Sequence, residues 1–114
     1  MDQHSNARDR GSYIEQVDFT DESGAAVTPI SATWSLTDGN GAIVNTRKDI
    51  AVTGLNSTVY IAMSGADLAY NPTGTRTDNE RILVVKATYL SSLTGTQLPL
   101  NKAVKFAISD LPDL

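Results

Sequence analysis

No cysteine occurs among the 114 residues of this chain, and histidine occurs once, as His4. The first absence excludes a disulfide framework and any thiolate metal site, and it selects no redox compartment. The second leaves a transition-metal centre or a histidine-based relay almost nothing to work with. His4 lies in a polar stretch and reads as solvated. Long hydrophobic runs are missing too, since none approaches the roughly 20 residues of a membrane-spanning helix. The first residues are polar and charged, so no signal peptide is expected. Positive charge is in the minority, nine Lys and Arg against thirteen Asp and Glu for a net charge of -4, which argues against a nucleic-acid face.

Reactive motifs are equally scarce. There is no Gly-x-Ser-x-Gly elbow, P-loop or dinucleotide fingerprint. The carboxylates Asp21, Asp38, Asp67 and Asp78 stand singly in turns, where side-chain capping explains them. Asp38-Gly39-Asn40 lacks the later acidic ligand of a calcium loop. The expectation is therefore no enzyme, no cofactor and no metal.

What is present is a hydrophobic fraction of 40%, arranged with period 2. The run Arg81 to Leu90 is apolar on both faces, with Ile82, Val84, Thr88 and Leu90 on one and Leu83, Val85, Ala87 and Tyr89 on the other. Such a strand belongs in the middle of a sheet packed on a second layer. Ser12 to Phe19 alternates, with Val17 and Phe19 inward and Glu15 near the edge. Ile30, Ala32, Trp34 and Leu36 share the inner face of the next strand, whose other face is Ser and Thr. Asp38-Gly39-Asn40-Gly41 turns the chain back, with Ile43 inward and Val44 on the opposite face. Val59, Ile61 and Met63 point in from Ser57 to Ser64. A Ser64-x-x-Asp67 capping box starts one helical turn over 66–69, with Leu68 plugging the core. Residues 71–79 (NPTGTRTDN) form the longest loop, of a length that favours mobility and contacts. The last strand spans 101–109, with Val104, Phe106 and Ile108 inward, Lys105 outward, and Lys102 at its start, reaching water.

Six to seven strands with one short helical turn predict an all-β, immunoglobulin-like or fibronectin-III-like sandwich; a small barrel or jelly roll is the rival. The expected division is a polar N-terminal arm over 1–11, a sandwich domain over 12–111 and a tail over 112–114. The arm offers almost nothing to bury and reads as exposed. Basic residues at loops and strand ends (Arg47, Lys48, Arg76 and Arg81) read first as a solvated rim. Arg8, Arg10, Arg47, Lys48 and Arg76, with the tyrosines Tyr60 and Tyr70, are the candidates for partner contact. Exposed tyrosines, Tyr13 included, could also stack on sugars.

The succession 32–41 (ATWSLTDGNG), the Ser64 to Leu68 turn, the Arg81 to Tyr89 strand and Leu98-Pro99-Leu100 together resemble a recurrent group of small proteins of tailed bacteriophages and prophages. That group comprises immunoglobulin-like proteins encoded among head and tail genes, and the likeness spans roughly residues 12–111. The resemblance implies a non-enzymatic virion component: a capsid decoration, neck or tail-associated protein. Its partners would be other virion proteins and further copies of itself, made in the host cytoplasm and located in the virion, with neither nucleic acid nor membrane as a partner. A module binding a host-surface glycan or protein is the alternative. The arm is not part of the shared pattern.

Overall fold

The computed structural model describes residues 2–3 and 7–109; His4 and the 112–114 tail lie outside them. The strands are β1 (Asp2–Gln3), β2 (Ala7–Arg8), β3 (Ser12–Asp18), β4 (Ser31–Asp38), β5 (Ile50–Ala51), β6 (Thr58–Ser64), β7 (Glu80–Leu90) and β8 (Gln97–Ser109). Two 3-10 turns, Gly65–Leu68 and Thr77–Asn79, lie between β6 and β7. One sheet has the order β1-β8-β7-β4-β5, with β2 also on β8, and the other is the antiparallel pair β3-β6. This is the expected all-β sandwich, built of one larger and one two-stranded sheet.

The doubly apolar run is central, as its composition requires. β7 pairs with β4 from Ser31↔Thr88 to Asp38↔Arg81, and with β8 from Glu80↔Ala107 to Leu90↔Gln97. Its Leu83, Val85, Ala87 and Tyr89 face inward with Ala32, Trp34 and Leu36 of β4. Val17, Phe19, Val59, Ile61 and Met63 come down on them from the β3-β6 layer, and Leu68 closes the end at 0% exposure. Tyr13 ties the layers at one side by stacking on Phe106 of β8, ring centroids 4.3 Å apart.

Several local expectations are corrected. Ile43 is 43% exposed while Val44 packs on the core. Ile43 bridges to Thr37, and directly paired residues share a face, so Ile43 follows Thr37 outward. Glu15 is opposite Ile61 and is therefore buried rather than near the edge, with the Tyr13 hydroxyl 3.4 Å from its Oε1. Ile30 is 49% exposed just before β4 begins, although its N–H donates to the Thr88 carbonyl at 2.7 Å. β8 starts at Gln97, so Lys102 is mid-strand and half-buried beside Glu15 and Asp18. The second 3-10 turn was not expected.

The stretch read as an exposed arm contributes β1 and β2, both parallel to β8, with Asp2↔Val104 and Ala7↔Ile108 in register. Ala7 is buried in the core. The edge of β8 offers unpaired backbone groups, and a chain too polar to build a core can still satisfy them.

The corrected phase makes a direct prediction. Val44→Ala should cost about 1 kcal/mol, whereas Ile43→Ala should stay within about 0.5 kcal/mol of wild type. Urea unfolding of the two variants measures both, and the reverse ranking would refute the phase.

Candidate functional site

Arg81 opens β7 on its inward face and is buried. A guanidinium out of water must spend its donors on the protein, and this one donates to four backbone carbonyls. Nε reaches Asp67 at 2.9 Å, Nη2 reaches Ala69 at 3.1 Å, and Nη1 reaches Asp78 at 2.9 Å and Glu80 at 2.8 Å. Burial pulls its pKa below the ordinary arginine value, and the charges of Asp38 and Asp67 oppose that shift. One side chain thus pins both 3-10 turns to the first residues of β7. Arg81 is no rim residue.

Asp67 extends the network. Its carboxylate accepts from Arg47 Nε at 2.9 Å, Asn45 Nδ2 at 2.8 Å and the Ser64 N–H at 3.2 Å. The last of these is the reciprocal half of the expected capping box. Arg47 in turn lies over the Trp34 ring, 5.7 Å from its centroid. Around it Asn45, Thr46 and Asp49 adopt positive φ of 52°, 55° and 51°, conformations that a β-branched residue such as Thr46 adopts only when its surroundings enforce them. Arg47 is therefore committed to its own fold, and Lys48 beside it is exposed.

The loop 71–79 is densely bonded. Asn79 Oδ1 accepts the Asn71 N–H at 2.6 Å, and its Nδ2 donates to the carbonyls of Asn71 and Thr75. Asp78 accepts the Thr75 N–H at 2.8 Å and Asn40 Nδ2 at 2.9 Å, while Thr77 Oγ1 donates to Asn40 Oδ1 at 2.8 Å. Gly39 donates its N–H to the Thr77 carbonyl. A Cβ on Gly39 would stand 2.9 Å from that carbonyl oxygen, so the two loops close against each other only through glycine. The mobility expected from loop length is countered by these Asx-type bonds.

This loop is the lip of a cleft of about 480 Å³ beside the end of β8, lined by Tyr70, Gly74, Arg76, Glu80, Ala107 and Ile108 among others. Glu80, although nearly buried, is neutralised by Lys105 Nζ at 3.0 Å, with Arg76 Nε at 3.8 Å. The Arg76 side chain is 87% exposed, which leaves this cation at the cleft open to a visitor. Of the residues singled out from sequence, Tyr70 and Arg76 converge here. Arg10 is exposed near Asp9 at the root of the N-terminal segment, and the side chain of Arg8 lies outside the described positions. Tyr60 is 66% exposed on the outer face of β6 and does not line the cleft. Tyr13 is held against Phe106, so the tyrosines do not assemble into one sugar-stacking platform.

Among the described residues no group of carboxylates or histidine is placed to hold a metal ion, and every buried polar side-chain atom has a hydrogen-bond partner. Comparison with known proteins gives no match: no family model, no curated protein and no solved structure is significantly similar to this chain. Sequence reasoning overlooked Asp67, Asn79 and Arg81 as organisers of the site. A cation heading an otherwise apolar strand was the signal available for Arg81.

Two outcomes follow from the network. Arg81→Ala strands four carbonyls and should cost about 2–4 kcal/mol, with faster amide exchange in 71–79, and an unchanged stability would refute the pinning. For Asp67, burial raises the carboxyl pKa, but the bonds from Arg47, Asn45 and Ser64 outweigh it and hold the group below the ordinary value. A lowered folded-state pKa gives stability that is present above the unfolded value of about 3.9 and lost as pH falls through the folded one. Asp67→Asn should therefore melt well below wild type at neutral pH and approach it as the pH falls through the lowered folded-state value; a gap that persists once the carboxyl is protonated would exclude its charge as the source.

Proposed function

We propose that this chain is a non-enzymatic structural component of a tailed-phage virion, a capsid decoration, neck or tail-associated protein, working through contacts with neighbouring virion proteins and copies of itself. The observation that carries the reading is the pinned lip of the cleft. Arg81, Asn79 and Asp78 hold the loop in one conformation, and the cleft it borders presents Tyr70 and Arg76. Tyrosine and arginine are the residue types enriched at the energetic centres of protein interfaces, and a surface already ordered before contact loses less entropy on binding. The resemblance in the 32–41, 64–68 and 81–89 segments supplies the phage context. A stable contact buries about 1,600 Å², so the cleft serves as an anchor within a wider surface.

Mass spectrometry of purified, DNase-treated particles tests this, with copy number taken relative to the major capsid protein. A copy number on the order of hundreds places the protein on the capsid, and about six to a few dozen at the neck or tail. Absence from particles overturns the reading.

A further inference from the structure

The smaller layer of the sandwich ends in a strand with an open side. Phe19 donates its N–H to the Ser57 carbonyl, and Gly65 donates its N–H to the Gly11 carbonyl. Each of these continues the β3-β6 register by one pair. Hydrogen-bonded pairs alternate along an antiparallel ladder, so Tyr13, Glu15 and Val17 are the residues that exchange bonds with Met63, Ile61 and Val59. The backbone groups of Thr58, Tyr60, Ala62 and Ser64 therefore point away from β3, to the side of β6 on which no strand pairs among the described residues. Asp67 Oδ2 accepts the Ser64 N–H at 3.2 Å. Thr58, Tyr60 and Ala62 have no backbone partner on that side among the described residues.

An edge strand is ordinarily blunted by charge, proline or a bulge. The seven residues Thr58–Ser64 include no charged residue, proline or glycine, and they pair with β3 without a bulge. Beside the edge the outer face carries Tyr60, 66% exposed, and Ile14, 64% exposed, which stands opposite Ala62. The edge is also self-complementary. Its outward residues are centred on Tyr60, and Ser64 closes one end. An antiparallel copy placed with Tyr60 opposite Tyr60 sets Thr58 opposite Ala62 on both sides, and each such pair exchanges both of its bonds. The two rings then meet as a cross-strand aromatic pair between small neighbours. Charge permits the approach of two chains that each carry a net -4. Asp18 lies opposite Thr58 and is held by its hydroxyl at 2.8 Å, so the two copies of Asp18 stand at opposite ends of the joined ladder. Asp67, beyond Ser64, is already neutralised by Arg47.

We propose that β6 pairs across a two-fold axis with β6 of a second copy, joining two two-stranded layers into one four-stranded sheet. Seven residues span about 24 Å, and the molecule is 24 Å by 22 Å across its long axis. That bounds the contact at about 500 Å² per copy, or about 1,000 Å² in all, the low end for a specific interface. The dimer therefore forms where copies are concentrated. It specifies the contact between copies named above and rests on the virion reading only for that crowding.

The absence of cysteine makes the test unambiguous. Thr58→Cys and Ala62→Cys chains, prepared separately, are mixed at about 1 mM under mild oxidant. Opposed Cα atoms of a hydrogen-bonded pair lie about 5.5 Å apart, within disulfide reach, whereas the two copies of position 58 would be roughly 14 Å apart. The expected product is a covalent dimer of one chain of each kind, about tenfold above the dimer from either variant alone. Tyr60→Lys in both chains sets like charges face to face and should return the yield to background with an unchanged urea midpoint. A mixed yield no higher than that of the single variants, or one that Tyr60→Lys leaves intact, overturns the pairing. Should either cysteine chain fail to fold, sedimentation of the unaltered and Tyr60→Lys chains at about 1 mM replaces it: a dimer that the lysine dissociates is expected, and monomer in both overturns the pairing. Particle composition does not enter these measurements, so their failure and that of the virion reading are distinguishable.

Discussion

A single guanidinium, desolvated at the first inward position of β7, sets the terms for one whole end of the sandwich. In a low-dielectric setting Arg81 is tolerable only with its donors satisfied, and the available acceptors are main-chain carbonyls of Asp67, Ala69, Asp78 and Glu80. Those carbonyls belong to both turns of the single β6-β7 connection and to the first residue of β7, so satisfying one charge folds that connection into a fixed shape. Asp67 is the hinge of the arrangement. Its carbonyl serves Arg81, and its carboxylate serves Arg47 and Asn45. From there the constraint passes to the Trp34 face and the left-handed turn at Asn45 and Thr46.

The opposite end uses the same device with less burial. Glu22, from the loop after β3, accepts the Tyr89 hydroxyl at 2.6 Å and the Ser91 hydroxyl. Those hydroxyls hold its carboxyl below the usual range. This fastens the base of the β7-β8 hairpin while Leu90 and Leu93 remain exposed near its tip. Both ends of the molecule thus spend polar side chains on fixing loops. The loops at both ends are thereby preset in shape before any contact is made.

The flank between β8 and β3 is organised differently. Backbone pairing there brings β1 and β2 onto β8, and Ala7 enters the core. The three regions therefore differ in kind: a charge-pinned end, a carboxylate-fastened hairpin and a seam made by backbone pairing.

Much of this was legible in the residues. Period-2 alternation determined the strands and which side chains share a face, the two apolar faces of Arg81 to Leu90 determined the central position of β7, and Asp38 to Gly41 determined a reversal. These are local properties, written into neighbours one or two positions apart. Which of two alternating faces turns inward is not local. The bridge between Thr37 and Ile43 decided that Val44, and not Ile43, joins the core, and the pairing of Glu15 with Ile61 decided the burial of Glu15. The candidate site was half visible, since Tyr70 and Arg76 could be named but not brought together, and Arg47 and Arg81 read as solvated. Whether a charged side chain is buried depends on acceptors that only the tertiary fold delivers. The sequence by itself determined the strands and their order of apolar faces; the tertiary structure decided phase, the fate of each charge and the docking of the first residues on β8, because each of these depends on partners distant in the chain.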